Sequence, residues 1–232
     1  MSASPPEAIS AGAAPTKVTV TNALGHVSST EFTLGHGVGT AQTDANGKRT
    51  EAEYDGPARP TRVWKPGHRR SAFPKSPTFE YDYQVRRDGP TVVTSKTLEH
   101  NGSYRTDYAL YDGLPRSRQT QTASATGTGR VISETIYDTR GLTWKTYGSY
   151  YANGDPSGTL FTSDDSKVPN TTENLYDGAG RVTDVVSRKF GDETKRTRTI
   201  HEGDRTTVVP PKGGTATTTV TEALGRQTEL IQ

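Results

Sequence analysis

The chain has 232 residues, weighs 25.1 kDa and carries a formal net charge of +2. Its mean hydropathy is −0.78, and Leu, Ile, Val and Phe together supply only 36 residues, too few for a thick globular core. There is no Cys, which excludes disulfides and thiolate metal sites, and no apolar run is long enough to span a membrane as a helix.

Residues 1–16 (MSASPPEAISAGAAPT) read as a flexible linker of small residues. They lack the basic and apolar regions of a signal peptide. From residue 17 to 232 the composition is that of a pleated chain. Thr is abundant, Tyr (11) outnumbers Phe (5) and Trp (2), and Gly (24) and Pro (14) are scattered as tight turns require. So small a net charge argues against a disordered segment, whereas thin sheets suit so little apolar content.

Strand-like runs occur at 17–21 (KVTVT), 130–137 (RVISETIY) and 215–221 (TATTTVT). Between such runs a hexapeptide recurs. Its fullest form is Tyr176-Asp177-Gly178-Ala179-Gly180-Arg181. Tyr137-Asp138-Thr139-Arg140-Gly141 has Leu142 in place of the Arg; Tyr54-Asp55-Gly56-Pro57-Ala58-Arg59 has Ala58 for the Gly; Tyr111-Asp112-Gly113-Leu114-Pro115-Arg116 has Pro115 there. Three further copies begin with Thr21, Thr43 and Thr221, the last ending in Gly225-Arg226, and Tyr81-Asp82 opens a degenerate eighth. Asp starts a turn by accepting amide hydrogens two residues on, and Gly at the fifth position supplies positive φ. Asn101-Gly102, Gly191-Asp192 and Asn153-Gly154-Asp155-Pro156 are secondary turn signals, each expected to join two strands of a hairpin. The spacing of the copies is irregular and no 3.6-residue period appears. The prediction is all-β: antiparallel hairpin repeats winding into a curved sheet, with essentially no helix.

These hexapeptides resemble those of YD-repeat (Rhs-repeat) proteins, a family that includes Tc-toxin cocoons and the teneurin shell. The segments 54–67 and 206–226 look like actinobacterial Rhs-type polymorphic toxins. The resemblance covers residues 17–232 and implies an arc of a hollow β-shell that encloses or displays a C-terminal toxin domain. It also implies a non-catalytic role, no cofactor, and a secreted or cell-surface location within a larger parent. The expected partners are the rest of that shell and its toxin cargo. The chain is accordingly expected to be a fragment.

Other features have both bland and functional readings. Trp64 and Trp144 are candidates for stacking on a cell-surface glycan, the basis of an alternative reading as a carbohydrate- or receptor-binding module. Two basic clusters stand out: Arg59, Arg62, Lys65, His68, Arg69 and Arg70 around Trp64, and Arg188, Lys189, Lys195, Arg196 and Arg198. The weak net charge favours solvated strand faces over nucleic-acid binding. Asp155-Pro156-Ser157-Gly158 matches part of a self-cleavage motif of Rhs shells, but turn chemistry accounts for it. His26, His36, His68, His100 and His201 have no metal-ligand spacing, and no nucleophile motif is present.

Overall fold

The structure, a computed structural model, describes residues 15–232, so the expected linker lies outside the described residues up to position 14. It is all-β, with seventeen strands, antiparallel ladders and one three-residue 3-10 turn at Asp165–Lys167. Two compact units are distinguishable: 15–82 with 94–106, and 83–93 with 107–232.

In the first unit the strands are β1 (Lys17–Thr21), β2 (Val27–Phe32), β3 (Gly39–Thr43), β4 (Arg49–Tyr54), β5 (Pro60–Trp64) and β6 (Phe79–Gln84), which ends just beyond the unit's boundary. Each pairs with the next in the chain. Strands β7 (Thr91–Leu98) and β8 (Tyr104–Tyr111) contribute residues to both units. The connection 65–78 folds back against its own unit. Trp64, only 1% exposed, donates its indole N–H to the Phe73 carbonyl at 2.8 Å. His68 stacks on Phe73 at 3.9 Å and contacts the Ser76 carbonyl through Nε2. The Tyr104 hydroxyl donates to the Pro77 carbonyl at 2.6 Å.

The second unit continues the pattern with β9 (Ser117–Ala123), β10 (Arg130–Tyr137), β11 (Thr143–Ala152), β12 (Thr171–Tyr176) and β13 (Val182–Lys189). After these come β14 (Asp192–Glu202), β15 (Arg205–Val209), β16 (Thr217–Thr221) and β17 (Gln227–Ile231). Sequential neighbours pair from β8 through to β17. The side-chain period of two puts Gln119, Gln121, Ile132, Glu134, Tyr147 and Tyr150 on one face, as the registers Ile132↔Gln121, Glu134↔Gln119, Ile132↔Tyr150 and Glu134↔Tyr147 require.

The segment 153–170 lies across that face. With it the core closes: Ile132 and Val168 are fully buried beside Tyr147, Tyr150 and Ala152, and Ile136 and Phe161 pack against them. A chain so poor in aliphatics builds its core locally, where a strap covers the sheet.

The Asn101-Gly102 and Gly191-Asp192 signals do close hairpins, β7/β8 and β13/β14. Asn153-Gly154-Asp155-Pro156 does not. It leaves β11 and opens the 153–170 strap, because Arg130 and Gln121 capture the Asp155 carbonyl and the Ser157 amide and lay the chain on the sheet.

Candidate functional site

The seven fuller hexapeptides are each one turn of closely similar wiring, whereas Tyr81-Asp82, expected to open an eighth, lies inside strand β6. The Asp177 amide donates to the Arg181 carbonyl at 3.0 Å, and the Gly180 amide to the Asp177 carbonyl at 3.1 Å. Asp177 Oδ1 accepts from the amides of Ala179 and Arg181, both at 2.9 Å. Arg181 Nε donates to Asp177 Oδ2 at 2.7 Å. Asp112 with Arg116 repeats these side-chain bonds, and Asp55 with Arg59 repeats them without the middle amide, since Pro57 has none. Asn22 and Asp44 make the same backbone bonds. In the copy ending in Leu142, Arg140 supplies the guanidinium, with Nε 3.1 Å from Asp138 Oδ2. Arg226 pairs with Glu222 in the last copy. The Arg116 guanidinium, assisted by backbone amides, holds the Asp112 carboxyl below the usual carboxylate range. For Asp177 the Arg181 amide and then its guanidinium do the same.

Positive φ is kept at the fifth position whatever the residue: 81° at Gly180, 78° at Gly225, 66° at Ala58 and 26° at Pro115. Gly141 has a second reason to be glycine, because a Cβ there would lie 2.6 Å from Arg116 Nη1.

That close approach reveals a lateral linkage in the second unit. The turns β8/β9, β10/β11 and β12/β13 are each two strands apart, so they share one edge of the antiparallel ladder. Arg116 Nη1 donates to the Gly141 carbonyl at 2.9 Å, and its guanidinium lies 4.1 Å from the Tyr137 ring centroid. Arg140 Nη1 donates to the Asp177 carbonyl at 2.8 Å and lies over Tyr176 at 5.7 Å. Each turn thus grips the next through an Arg on a Tyr, a cation–π contact. The Tyr137 and Tyr176 hydroxyls donate to the carbonyls of Ser117 and Thr143, the residues that follow the preceding turn. In the first unit Tyr54 bonds the Gly39 carbonyl in the same manner.

The strap 153–170 is the other organised feature. Two buried amides on β9 hold its backbone. Gln119 Nε2 donates to the Phe161 carbonyl and its Oε1 accepts the Phe161 amide, both at 2.9 Å. Gln121 Nε2 donates to the Thr159 carbonyl at 2.7 Å and its Oε1 accepts the Ser157 amide at 3.0 Å. Farther along, Ser163 donates to Glu134, which Arg118 Nη1 also contacts at 2.5 Å. Tyr147 and Lys145 bind the two oxygens of Asp165 at 2.6 and 3.0 Å. The Tyr147 phenol and then Lys145 hold the Asp165 carboxyl low, while burial, followed by Asp165, pushes the Tyr147 hydroxyl well above its ordinary value. Gln119 and Gln121 carry no sequence signal that separates them from polar residues on a solvated face; their spacing of two on one strand is the only hint.

The remaining candidates are dispersed. Trp64 is enclosed by its own strap, so it offers no ring face to a sugar. Trp144 is 38% exposed, with Lys145 Nζ 4.9 Å from its ring centroid. The first basic cluster is largely neutralised: Arg59 pairs with Asp55, Arg62 with Glu53 and Glu80, and Arg70 with Glu53 while lying over Trp64. In the second, Arg188 pairs with Glu173, Arg196 with Asp184 and Glu193, and Arg198 with Asp184. Among the described residues, no three His, Asp or Glu side chains converge as a metal site.

No protein-family model and no curated protein matches the chain. Among solved structures it is similar to the crystal structure of TcdB2-TccC3, with a TM-score of 0.72 at 15% identity. The similarity covers 92% of this chain and 13% of that one, so the chain spans about an eighth of the protein it matches. Its all-β repeat fold is therefore one that also forms part of TcdB2-TccC3.

Proposed function

We propose that the chain is a non-catalytic structural segment of a large Rhs-type toxin shell that encapsulates or displays a C-terminal toxin domain. Its partners are the rest of that shell and the cargo, and it acts outside the producing cell as part of the larger parent. The observation that carries the reading is the lateral Arg–Tyr linkage of successive turns. Such a linkage adds hairpins side by side along an edge, as a wall requires. The hexapeptide resemblance and the fold shared with TcdB2-TccC3 support it.

Two measurements test it. DNA sequence on either side of the coding segment should run into further Tyr-Asp-x-x-Gly-Arg units and a divergent C-terminal domain. In the protein carrying those flanks, the C-terminal domain should resist a protease that digests it when it is expressed alone. Equal digestion in both settings refutes encapsulation.

A further inference from the structure

The chain holds three Asn-Gly pairs, Asn46-Gly47, Asn101-Gly102 and Asn153-Gly154. This dipeptide carries a reaction of its own, because the glycine nitrogen has no neighbouring Cβ to shield it from the asparagine side-chain carbonyl. In all three pairs both residues are exposed, and the glycine has positive φ, 72°, 83° and 82° in chain order. Water access and glycine conformation therefore do not separate the pairs. Hydrogen bonding does. The Gly47 amide donates to the Asp44 carbonyl at 2.9 Å and the Gly102 amide to the Glu99 carbonyl at 3.0 Å, each inside a hairpin turn. Asn101 is held as well, its Oδ1 accepting from the Ser103 amide and hydroxyl at 2.9 and 2.7 Å. Among the described residues, neither the Gly154 amide nor the Asn153 side chain makes a hydrogen bond.

The difference comes from topology. The first two pairs close hairpins, whose turns call on the glycine amide, whereas Asn153-Gly154 leaves β11 and opens the strap. Its surroundings are also electropositive. Arg130 Nη1 donates to Gln121 Oε1 and to the Asp155 carbonyl, both at 3.0 Å, and a Cβ on Gly154 would lie 3.6 Å from Arg130 Nη2. The Arg130 Nε is buried without a hydrogen-bond partner, and the guanidinium forms no ion pair among the described residues. A fixed positive charge beside the Gly154 nitrogen favours the deprotonated amide that attacks, and it favours a carboxylate formed nearby.

We propose that Asn153 is a site of spontaneous deamidation in the folded protein, and that folding protects Asn46 and Asn101 from the same reaction. The Gly154 nitrogen bonds to Asn153 Cγ, the bond from Cγ to the side-chain nitrogen breaks, and ammonia leaves with the proton that the amide gave up. Water then opens the cyclic imide at either carbonyl, leaving aspartate or isoaspartate at 153. The step needs no other co-reactant, and it does not rest on the shell reading. It places a negative charge where the strap leaves the sheet, and in the isoaspartyl product one more main-chain atom. The test is incubation of the full chain in mildly alkaline buffer, folded and unfolded in guanidinium chloride. Peptide mapping by mass spectrometry follows conversion at 46, 101 and 153. In the folded chain position 153 should convert at least about fivefold faster than the other two, the factor set by the hydrogen bond that must break before Gly47 or Gly102 can attack. Once the chain is unfolded, the three rates should converge. Asn153→Gln, whose longer side chain does not close that imide readily, should abolish the main charge change on ion exchange at unchanged circular-dichroism melting. The proposal is overturned if 153 converts no faster than 46 and 101 in the folded chain, or if the charge change persists in Asn153→Gln. It is overturned equally if the lead of 153 survives undiminished in guanidinium chloride, which would make it a property of the flanking sequence.

Discussion

In the four turns that open with Tyr-Asp a single aspartate is the organiser: one carboxylate oxygen takes backbone amides and the other an arginine. This wiring is strong enough to impose the left-handed backbone on residues that resist it. Ala58 sits at φ 66°. Replacing it with glycine should relieve strain. The Ala58→Gly gain is about 0.5–1 kcal/mol once the looser unfolded chain is counted. The urea midpoint at unchanged slope measures it, and a lower midpoint for the variant would contradict the turn geometry. Asp and Gly were legible at this scale because turn chemistry is local. The rescue of the Leu142 copy by Arg140 was not, since the guanidinium comes from a different position of the hexapeptide.

At the scale of elements, strands and short hairpins followed from alternation and turn residues. The two straps did not. Period-two reasoning finds strands, but it has no term for a connection that folds back over the sheet it has just left. Pro66, Pro74 and Pro77 in one strap, and Pro156 and Pro169 in the other, mark only that strands are absent. Nor does a buried Gln announce itself in a chain rich in polar strand positions. Gln121→Leu leaves the Thr159 carbonyl, the Ser157 amide and an Arg130 bond without their partner, a loss of about 2–3 kcal/mol. Hydrogen exchange should show protection falling first at Ser157, and at Phe161 in Gln119→Leu. Equal loss throughout β10 would contradict a strap held by these two amides. Trp64→Ala removes a fully enclosed indole and should cost about 3–5 kcal/mol, so glycan stacking is tested cleanly only by Trp144→Ala.

Across the whole molecule a net charge of +2 hides dense pairing. Arg49 binds Glu31 through two bonds at 2.9 and 2.8 Å and also reaches Glu51, and in the same unit Arg62 and Lys96 share Glu80. The basic runs were visible in the sequence, but many of their acids lie on neighbouring strands and become partners only through register. Many carboxylates are consequently held below their ordinary range: Glu31 by Arg49, Asp112 by Arg116, Asp165 by Tyr147 and Glu193 by Arg196. A carboxyl depressed in the folded state binds its proton more readily once unfolded. Its stabilisation is therefore present above the unfolded value near 4 and is lost as pH falls through the folded one. Urea midpoints should hold level near neutrality and decline below about pH 4. Most of the groups are exposed enough that molar salt should shrink the effect. A stability maximum in acid would contradict this account.

The way the second strap is held has a consequence for what it can become. On the strap, the Gln119 and Gln121 amides hydrogen-bond main-chain atoms of Ser157, Thr159 and Phe161. Their spacing of two along β9 matches the alternate carbonyls of an extended chain, so the socket reads direction and pitch rather than residue identity. Gly158 is the visible exception, because a Cβ there would lie 3.2 Å from Val92. Between Gly154 and Leu160 the strap is thus an exchangeable stretch, able to accept new side chains for new contacts while its anchorage to the sheet stays the same.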